Sequence, residues 1–280
     1  MALNLIQAGF PLTLHNRSRG RELLLLAAAA QGDAAGAAAP QRAASAAEAV
    51  AEAGILCLCL SDDAAVQEVL ASALPHLAPG ALVIDFSTIS PATSRQLAQQ
   101  LAERDVAYID APVTGGTEGA RAGTLSVLVG GDPAHLERAQ PLLEVVGGCI
   151  TRIGAVGAGQ EAKAVNQVLV AGSYAAVAEA VALGQRLGLP MEPLLEALKG
   201  GAAGSWALEH RSSNMLRGAF PLGFKLALHH KDLAIALEAA AAAGVELPIT
   251  ERVAAIEREL MAAGFGDEDV SALARHYLRD

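Results

Sequence analysis

Residues 81–116 carry the sequence ALVIDFSTISPATSRQLAQQLAERDVAYIDAPVTGG. Two short apolar runs, Leu82–Phe86 and Ala107–Ile109, lie on either side of a segment that opens with Ser90 and Pro91. Continuous apolar runs are typical of strands that are covered on both faces, and serine followed by proline is a common helix start. This strand–helix–strand order predicts parallel strands, and ligands of such sheets bind at the carboxyl ends of the strands.

The same alternation continues on both sides of this stretch. Further β-like runs occur at Leu12–His15, Ile55–Leu60, Leu125–Val129 and Ile150–Ile153. Helical segments with start or stop signals are found at Ala46–Ala53, Ala92–Glu103 and Ala134–Val146. The pattern predicts an α/β fold of the Rossmann type over residues 1–154, with a doubly wound, mostly parallel sheet.

After residue 154 the pattern contains helices and no strand. The segment Gly159–Leu187 is predicted to be one long helix that is apolar nearly all round, so it is buried in a helical domain or against a second subunit. Further helices are predicted at Met191–Lys199, Ser205–Leu216, Lys225–Ala243, Ile249–Ala263 and Glu268–Leu278. We therefore predict an all-helical C-terminal domain over residues 155–280, a cleft between the domains, and a homodimer or homotetramer.

The composition disfavours several classes of function. Acidic residues outnumber basic ones by 30 to 20, only 3% of residues are aromatic, and no cluster of lysine and arginine occurs. A nucleic-acid partner is therefore not expected. No apolar run approaches the roughly 20 residues that span a bilayer. The N-terminus also lacks a secretory signal, so a cytoplasmic protein without a membrane partner is expected.

Cysteine and histidine do not form a recognisable metal or disulfide pattern. The three cysteines cannot make a disulfide framework, and Cys57 and Cys59, which lie inside an apolar run, are expected to be buried. His229 and His230 are adjacent and point to different faces of a helix, so no metal site is expected.

The segment 157–167, GAGQEAKAVNQ, has the most specific pattern. Lys163, Asn166 and Gln167 stand at positions i, i+3 and i+4 and share one helix face. A lysine that is shielded from water has a lowered pKa and can act as a general acid or base near neutral pH. The alternative is a surface lysine with solvated amides, but the apolar composition of the surrounding helix disfavours it.

Two other segments follow predicted strands and have open interpretations. In Asp110–Gly116, the Thr-Gly-Gly sequence leaves backbone N–H groups uncovered, so it either binds a carboxylate or forms an ordinary glycine turn. The following residues, Gly119–Gly123, are expected to be a mobile connection. Ser87 and Thr88 place two hydroxyls after a strand, where they either contact a cofactor or cap a helix.

The end of the first predicted strand bears on coenzyme choice. In dinucleotide-binding folds an acidic residue here binds the adenosine ribose of NAD, whereas an arginine accommodates the 2′-phosphate of NADP. The chain has Asn16 and Arg17 at this point and no acid. The residues therefore favour NADP, with an ordinary surface arginine as the alternative.

With these segments in place, the chain resembles the β-hydroxyacid dehydrogenase family. That family includes 3-hydroxyisobutyrate dehydrogenase, tartronate semialdehyde reductase and the glyoxylate/succinic semialdehyde reductases, and more distantly 6-phosphogluconate dehydrogenase. The resemblance covers essentially the whole chain. Its four motifs occur in the family's order, at Asp85–Thr88, Asp110–Gly116, Gly157–Gln167 and Lys231–Asp232.

The resemblance implies a role for particular residues of this chain. It implies that Lys163 is the catalytic lysine. It implies that the substrate is held by Thr114, Gly115 and Gly116 at its carboxylate and oriented by Asn166 and Gln167. It implies that the dinucleotide is contacted by Leu60, Ser61, Thr88 and Lys231, with Asn16 and Arg17 setting the coenzyme preference.

The function implied is an NADP-preferring oxidoreductase acting on CH–OH groups, with NAD as the second coenzyme. It would interconvert a small 3-hydroxy acid and its semialdehyde by hydride transfer, and Lys163 would move the proton. The substrate class is a small molecule that bears a carboxylate. The alternative is a non-catalytic or cofactor-impaired binding or scaffold protein with the same fold.

One departure from the family pattern concerns the beginning of the chain. Relatives start with a strand and a glycine loop, G-x-G-x-M-G-x-x-M-A-x-N-L, and Met1–Leu5 match only the end of it. The expected sheet therefore lacks its first strand, and the flanking strands face a gap. Two explanations compete: a start assigned at an internal methionine, favoured because the later motifs are intact, or a chain that starts here and binds coenzyme poorly.

Overall fold

The computed structural model of the protein describes residues 1–18, 20–30 and 39–278. The chain forms two compact units, Met1–Lys163 and Ala164–Asp280, and the division between them falls inside one long helix. The domain boundary predicted at residues 154–155 lies just before this helix and stays a prediction.

The first unit is an α/β unit, as predicted. Among its described residues, the strands are β1 (Thr13–Leu14), β2 (Gln41–Arg42), β3 (Ile55–Leu58), β4 (Leu82–Asp85), β5 (Ala107–Asp110), β6 (Val113–Thr114), β7 (Leu125–Gly130) and β8 (Gly147–Gly154). The α-helices between them are α1 (Ala2–Gln7), α2 (Arg21–Ala30), α3 (Ala46–Val50), α4 (Asp63–Ala73), α5 (Pro91–Ala102), α6 (Gly116–Ala122) and α7 (Pro133–Val146). A 3₁₀ turn, Leu74–His76, follows α4.

The larger sheet has the strand order β3-β4-β5-β7-β6, and β8 also pairs with β7. The pairs β3–β4, β4–β5 and β7–β8 are parallel, whereas β7 is antiparallel to both β5 and β6. The mostly parallel, Rossmann-like sheet is thus confirmed, with an antiparallel insertion at β6 and β7 that local sequence patterns do not reveal.

Strand β4 is buried on both faces, as its continuous apolar run predicts. Leu82 and Ile84 pack into one hydrophobic cluster, and Val83 packs into another. All three side chains are fully buried. Since successive side chains of a strand point to opposite faces, the two clusters are the layers on either side of the sheet.

Strands β1 and β2 form a separate parallel pair, and β3 is hydrogen-bonded only to β4 among the strands described. The sheet is therefore in two parts, with the flanking strands β1 and β3 unpaired with each other. The expectation that Cys57 and Cys59 are buried is wrong, because both are exposed. Cys57 lies within the edge strand β3 and Cys59 just beyond its end, and β3 has a neighbouring strand on one side only.

The segment after the Thr-Gly-Gly sequence is helical, which corrects the expected mobile connection. Helix α6 begins at Gly116 and is followed by Gly123, which adopts the left-handed conformation that commonly ends helices. Gly119 lies close to Leu125: a β-carbon at residue 119 would approach the Leu125 Cδ2 atom to 3.2 Å. The glycines of this segment therefore belong to a packed helix and its end, and their number was a poor guide to mobility.

All the regular elements described in the second unit are helices, which confirms the predicted all-α fold. The long helix α8 (Ala158–Arg186) enters this unit, and α9 (Met191–Lys199), α10 (Trp206–Arg217), α11 (Leu226–Ala243) and α12 (Pro248–Ala262) follow. The predicted last helix is instead a 3₁₀ turn, Val270–Leu273, and a short helix α13 (Ala274–Tyr277). Asp269 caps the turn through its side chain and begins the irregular segment.

The small residues of α8 pack into the core of the second unit. Ala171, Ala175 and Ala178 belong to one hydrophobic cluster with residues of α9 to α13. By length and mean hydropathy alone, α8 could also cross a membrane, which differs from the expectation for this chain; 50% of its apolar window is buried. Burial of this kind is also what a core helix shows, so the helix is weak evidence for a membrane.

Candidate functional site

The Thr-Gly-Gly loop is held by a short antiparallel pairing. Thr114 ends β6 and lies opposite Ser126 of β7. Gly115 and Gly116 follow with φ angles of 131° and 64°, in the region that side chains disfavour and glycine accepts. Both glycines are exposed and immediately precede or begin helix α6. The loop therefore exposes backbone at a fixed position, as an anion-binding turn requires.

The predicted catalytic lysine lies against this loop. Lys163 is buried, with 7% of its surface exposed. Its Nζ atom donates a hydrogen bond to the backbone oxygen of Val113 at a distance of 3.0 Å. The amine is therefore directed at the residue that precedes Thr114, although fifty positions separate the two partners in the sequence.

The predicted coenzyme contacts of the first unit also lie together. Leu60 and Ser61 follow β3, and Ser87 and Thr88 follow β4, at the carboxyl ends of two parallel strands. The backbone N–H of Leu60 donates to Ser87 Oγ at 2.9 Å. The side chain of Ser61 is exposed, and those of Leu60 and Thr88 are half-buried. Hydroxyl groups at such an edge fit a dinucleotide, which in open α/β sheets binds outside the strand ends.

Two buried carboxylates stand at the ends of β4 and β5, and the sequence reasoning assigned neither a role. Asp85 accepts hydrogen bonds from Ser87 N–H at 2.9 Å and from the Tyr108 hydroxyl at 3.1 Å. Burial raises the pKa of Asp85 to about 6, against these hydrogen bonds, and the nearby Asp110 raises it further. The bonds to Ser87 fix the backbone that leads to Thr88.

Asp110 is the second of these carboxylates and is fully buried. Burial raises its pKa to about 6, although backbone N–H groups at the start of α8 bond to it and favour the charged form. Asp110 is the first residue of the Asp110–Gly116 motif, and that membership was the signal that could have identified it.

In the second unit, a chain of side chains joins the other predicted residues. Asn166 Nδ2 donates to Gln167 Oε1, and Gln167 Nε2 donates to Asp232 Oδ2, both at 2.7 Å. Asp232 Oδ1 is 2.8 Å from Lys231 Nζ. The sequence analysis gave no role to Asp232, which belongs to this series of hydrogen-bonded side chains. Its place in the Lys-Asp motif was the signal that could have identified it. It holds both the Gln167 amide and the Lys231 ammonium in defined positions.

The predicted coenzyme-selecting residues follow β1. Asn16 Nδ2 donates to the backbone oxygen of Ser18 at 2.7 Å, which forms a local turn. The side chain of Arg17 is exposed. Within residues 1–18, 20–30 and 39–278, no group of three or more histidine, cysteine or acidic side chains could hold a metal ion.

Comparison with known proteins identifies both units. Residues 1–154 match the family model of the NAD binding domain of 6-phosphogluconate dehydrogenase. Residues 157–277 match the model described as the NAD-binding domain of NADP-dependent 3-hydroxyisobutyrate dehydrogenase.

Individual relatives agree with these matches. The chain is 42% identical over 196 residues to 2-hydroxy-3-oxopropionate reductase of Escherichia coli, covering 70% of this chain and 67% of the relative. It is 40% identical over 197 residues to 2-(hydroxymethyl)glutarate dehydrogenase of Eubacterium barkeri, covering 70% of this chain and 65% of the relative. The solved structure of Mycobacterium tuberculosis 3-hydroxyisobutyrate dehydrogenase with L-serine superimposes with a TM-score of 0.83 and 33% identity, over 99% of this chain and 94% of that chain.

Proposed function

The chain belongs to the β-hydroxyacid dehydrogenase family of NAD(P)-dependent oxidoreductases that act on CH–OH groups, and from this premise we propose that it interconverts a small 3-hydroxy acid and its semialdehyde. The observation that carries the proposal is the 3.0 Å hydrogen bond from Lys163 Nζ to the Val113 oxygen. It joins the one buried amine of the described first unit to the glycine loop that would hold a substrate carboxylate.

The nicotinamide coenzyme supplies the hydride chemistry when bound. Leu60, Ser61 and Thr88 in the first unit would hold it, and the family resemblance implies a coenzyme contact for Lys231 as well. The proposed preference is NADP, supported by Arg17 and the absence of an acidic residue beside it.

The glycine loop is proposed to bind the substrate, and Lys163 is proposed to transfer the proton. The uncovered N–H groups at Gly115 and Gly116 would bind the substrate carboxylate, which fixes the neighbouring carbonyl or hydroxyl carbon in one place. Protonated Lys163 would donate a proton to the alkoxide that forms on reduction, and the neutral amine would accept the hydroxyl proton on oxidation. Asn166 and Gln167 are proposed to orient the substrate oxygens, with Asp232 holding the Gln167 amide.

A coenzyme titration combined with a turnover assay tests the proposal. NADPH and NADH fluorescence is followed as protein is added, and NADP⁺ or NAD⁺ reduction is followed with 3-hydroxyisobutyrate and with L-serine as hydroxy acids. We expect coenzyme binding and turnover of at least one hydroxy acid. Coenzyme binding without turnover of any small hydroxy acid would contradict the substrate class, and absence of both would favour the non-catalytic alternative.

Arg17→Ala tests the coenzyme preference. A charge-assisted hydrogen bond to a phosphate contributes about 1.5–3 kcal/mol, so kcat/KM for NADP⁺ should fall about 10- to 100-fold. The value for NAD⁺ should hardly change, because NAD⁺ has no 2′-phosphate. Arg104→Ala, at an exposed arginine between α5 and β5, is the matched control. Equal losses with both coenzymes, or no loss with NADP⁺, would show that Arg17 does not select the phosphate.

Self-association is the proposed quaternary state, and one face of α8 supports it. Val165, Leu169, Leu183 and the following Leu187 are all largely exposed, although they share one face of the helix. We expect a dimer or tetramer by light scattering after size-exclusion chromatography, and a smaller species for Leu169→Asp. Leu24→Asp, at an exposed leucine of α2, should leave the mass unchanged. A monomeric parent protein would refute self-association.

A further inference from the structure

Asp110 joins the sheet to the start of the helix that carries Lys163. Its Oδ1 atom accepts a hydrogen bond from Gly157 N–H at 2.8 Å, and its Oδ2 atom accepts one from Gln160 N–H at 2.9 Å. These donors belong to the first turn of α8 and the residue before it, where helix N–H groups otherwise lack partners. The carboxylate of a distant strand therefore caps this helix, in place of a side chain at the cap position itself.

The backbone packs so closely around this carboxylate that two neighbouring positions have no room for a side chain. A β-carbon at Gly130 of β7, or at Gly159 of α8, would lie 2.7 Å from Asp110 Oδ2. Both positions therefore require glycine as long as the carboxylate is there. The backbones of the strand and the helix therefore approach each other closely around a fully buried carboxylate. A capping side chain at the surface would not require glycine at these two positions.

Gln160 forms a second connection from the same turn. Its Nε2 atom donates to the Ser87 backbone oxygen at 2.9 Å, and its Oε1 atom accepts from Ile89 N–H at 3.3 Å. The side chain is 1% exposed. It thus connects the start of α8 to the backbone on either side of Thr88, the residue proposed to contact the coenzyme.

Both connections act on the position of one amine. Lys163 follows Gln160 by one helical turn, so any shift of that turn moves the Lys163 Nζ atom. Asp110 also begins the segment that leads to Val113 and the glycine loop, so a single carboxylate positions both the lysine and its hydrogen-bond acceptor.

We propose that Asp110 and Gln160 are positioning residues for proton transfer by Lys163, holding its amine in register with the substrate loop and with the coenzyme-contacting segment. The proposal rests on the function proposed above. It assigns these residues no contact with the substrate. Their effect is on where the amine lies, and errors of about 1 Å in such placement cost on the order of 100-fold in rate.

Ionisation of Asp110 supports the arrangement. The positive end of the helix dipole stabilises the charged carboxylate. The charged form accepts hydrogen bonds at both oxygens, whereas the protonated form donates from one of them. With its pKa raised to about 6 by burial, Asp110 would lose this capacity as the pH falls through that value. Asp85 and Tyr108 are the titratable side chains that interact with it electrostatically from β4 and β5.

Asp110→Asn is the direct test, and Asp132→Asn is its control. Asp132 caps α7 from the cap position itself, through the Ala134 N–H, and that helix carries no site residue. For Asp110→Asn we expect kcat to fall about 10- to 100-fold, the solvent isotope effect on kcat to rise, and the coenzyme Kd to stay unchanged. In the reduction direction, which uses protonated Lys163, a decline of kcat below about pH 6 in the parent protein should be absent from this variant but present in Asp85→Asn. None of these changes is expected for Asp132→Asn.

A second readout does not depend on turnover. The chain has four lysines, at 163, 199, 225 and 231, so labelling by an amine-reactive reagent can be followed for each by peptide mass spectrometry. Lys163 should be labelled several-fold faster in Asp110→Asn than in the parent protein, with Lys199 unchanged. If the parent protein shows no turnover, the proposed function fails, and labelling still decides the positioning role.

Gln160→Met provides an independent variant that leaves the Asp110 cap in place. It removes both side-chain hydrogen bonds of Gln160, and we expect the same pattern with a smaller loss of kcat. Folded Asp110→Asn and Gln160→Met proteins with unchanged kcat, isotope effect and Lys163 labelling would overturn the proposal. Should Asp110→Asn fail to fold, the result for Gln160→Met decides it alone.

Discussion

Replacing Lys163 with alanine should lower kcat by about 100- to 10,000-fold, the range that general acid–base catalysis contributes. The hydride donor and the carboxylate-binding loop remain in this variant, so the loss isolates the proton transfer. Coenzyme binding should survive, because the residues proposed to contact the dinucleotide, including Ser61 and Thr88, are unchanged. Steady-state kinetics and a fluorescence titration with NADPH measure the two effects separately.

Lys199→Ala is the matched control for this experiment. Lys199 lies at the end of α9, and its Nζ atom pairs with Glu196 on the same helix at 2.7 Å. In the sequence it is distant from every proposed site residue. Its removal should leave kcat unchanged. Small primary amines added to Lys163→Ala should restore part of the activity by supplying the missing proton donor. Normal turnover by Lys163→Ala would refute the assignment of the lysine.

The largest loss of stability is expected for Glu257→Leu in the second unit. Glu257 Oε1 lies 2.6 Å from His229 Nδ1, and both side chains are fully buried. Its other oxygen is 3.7 Å from His230 Nδ1. Removing one partner of a buried pair leaves the other unsatisfied, so the free energy of unfolding should fall by about 3–5 kcal/mol. Urea denaturation followed by circular dichroism measures this change.

Two further variants separate the pair from the packing around it. Glu259→Leu, on the same helix at a half-exposed side chain, should change stability by no more than about 0.5 kcal/mol. The double variant His229→Leu/Glu257→Leu should recover most of the loss, because neither member of the pair is then left in the core without the other. A single variant as stable as the parent protein would show that the pair contributes little.

The same carboxylate predicts a pH dependence with a definite sign. Burial alone would raise the pKa of Glu257, but the hydrogen bonds and charges of His229 and His230 outweigh it and lower the pKa below its ordinary value of 4.5. A lowered pKa stabilises the folded state above the unfolded-state value, and the contribution is lost as the pH falls through the folded-state value. The stability difference between the parent protein and Glu257→Leu should therefore shrink as the pH falls below about 4.5.

The elements that local patterns predict best are those with strong periodicity or clear end signals. Helix α9 has its predicted bounds, Met191–Lys199, and β4 lies within its predicted apolar run. The weakest predictions involved partners that are distant in sequence. Cys57 was expected to be buried because its run is apolar, but burial of a strand depends on the neighbours that cover it.

The order and spacing of the motifs, readable along the chain, were sufficient to identify the family and the two-part organisation, and to predict a role for Lys163. Each motif is readable because it depends on residue types within a few positions, and the order of the motifs is given directly by the sequence. The tertiary structure alone revealed that Lys163 donates to Val113 and that Asp110 caps the helix of that lysine. These contacts join residues about fifty positions apart, and they depend on strand order and burial, which no local pattern encodes.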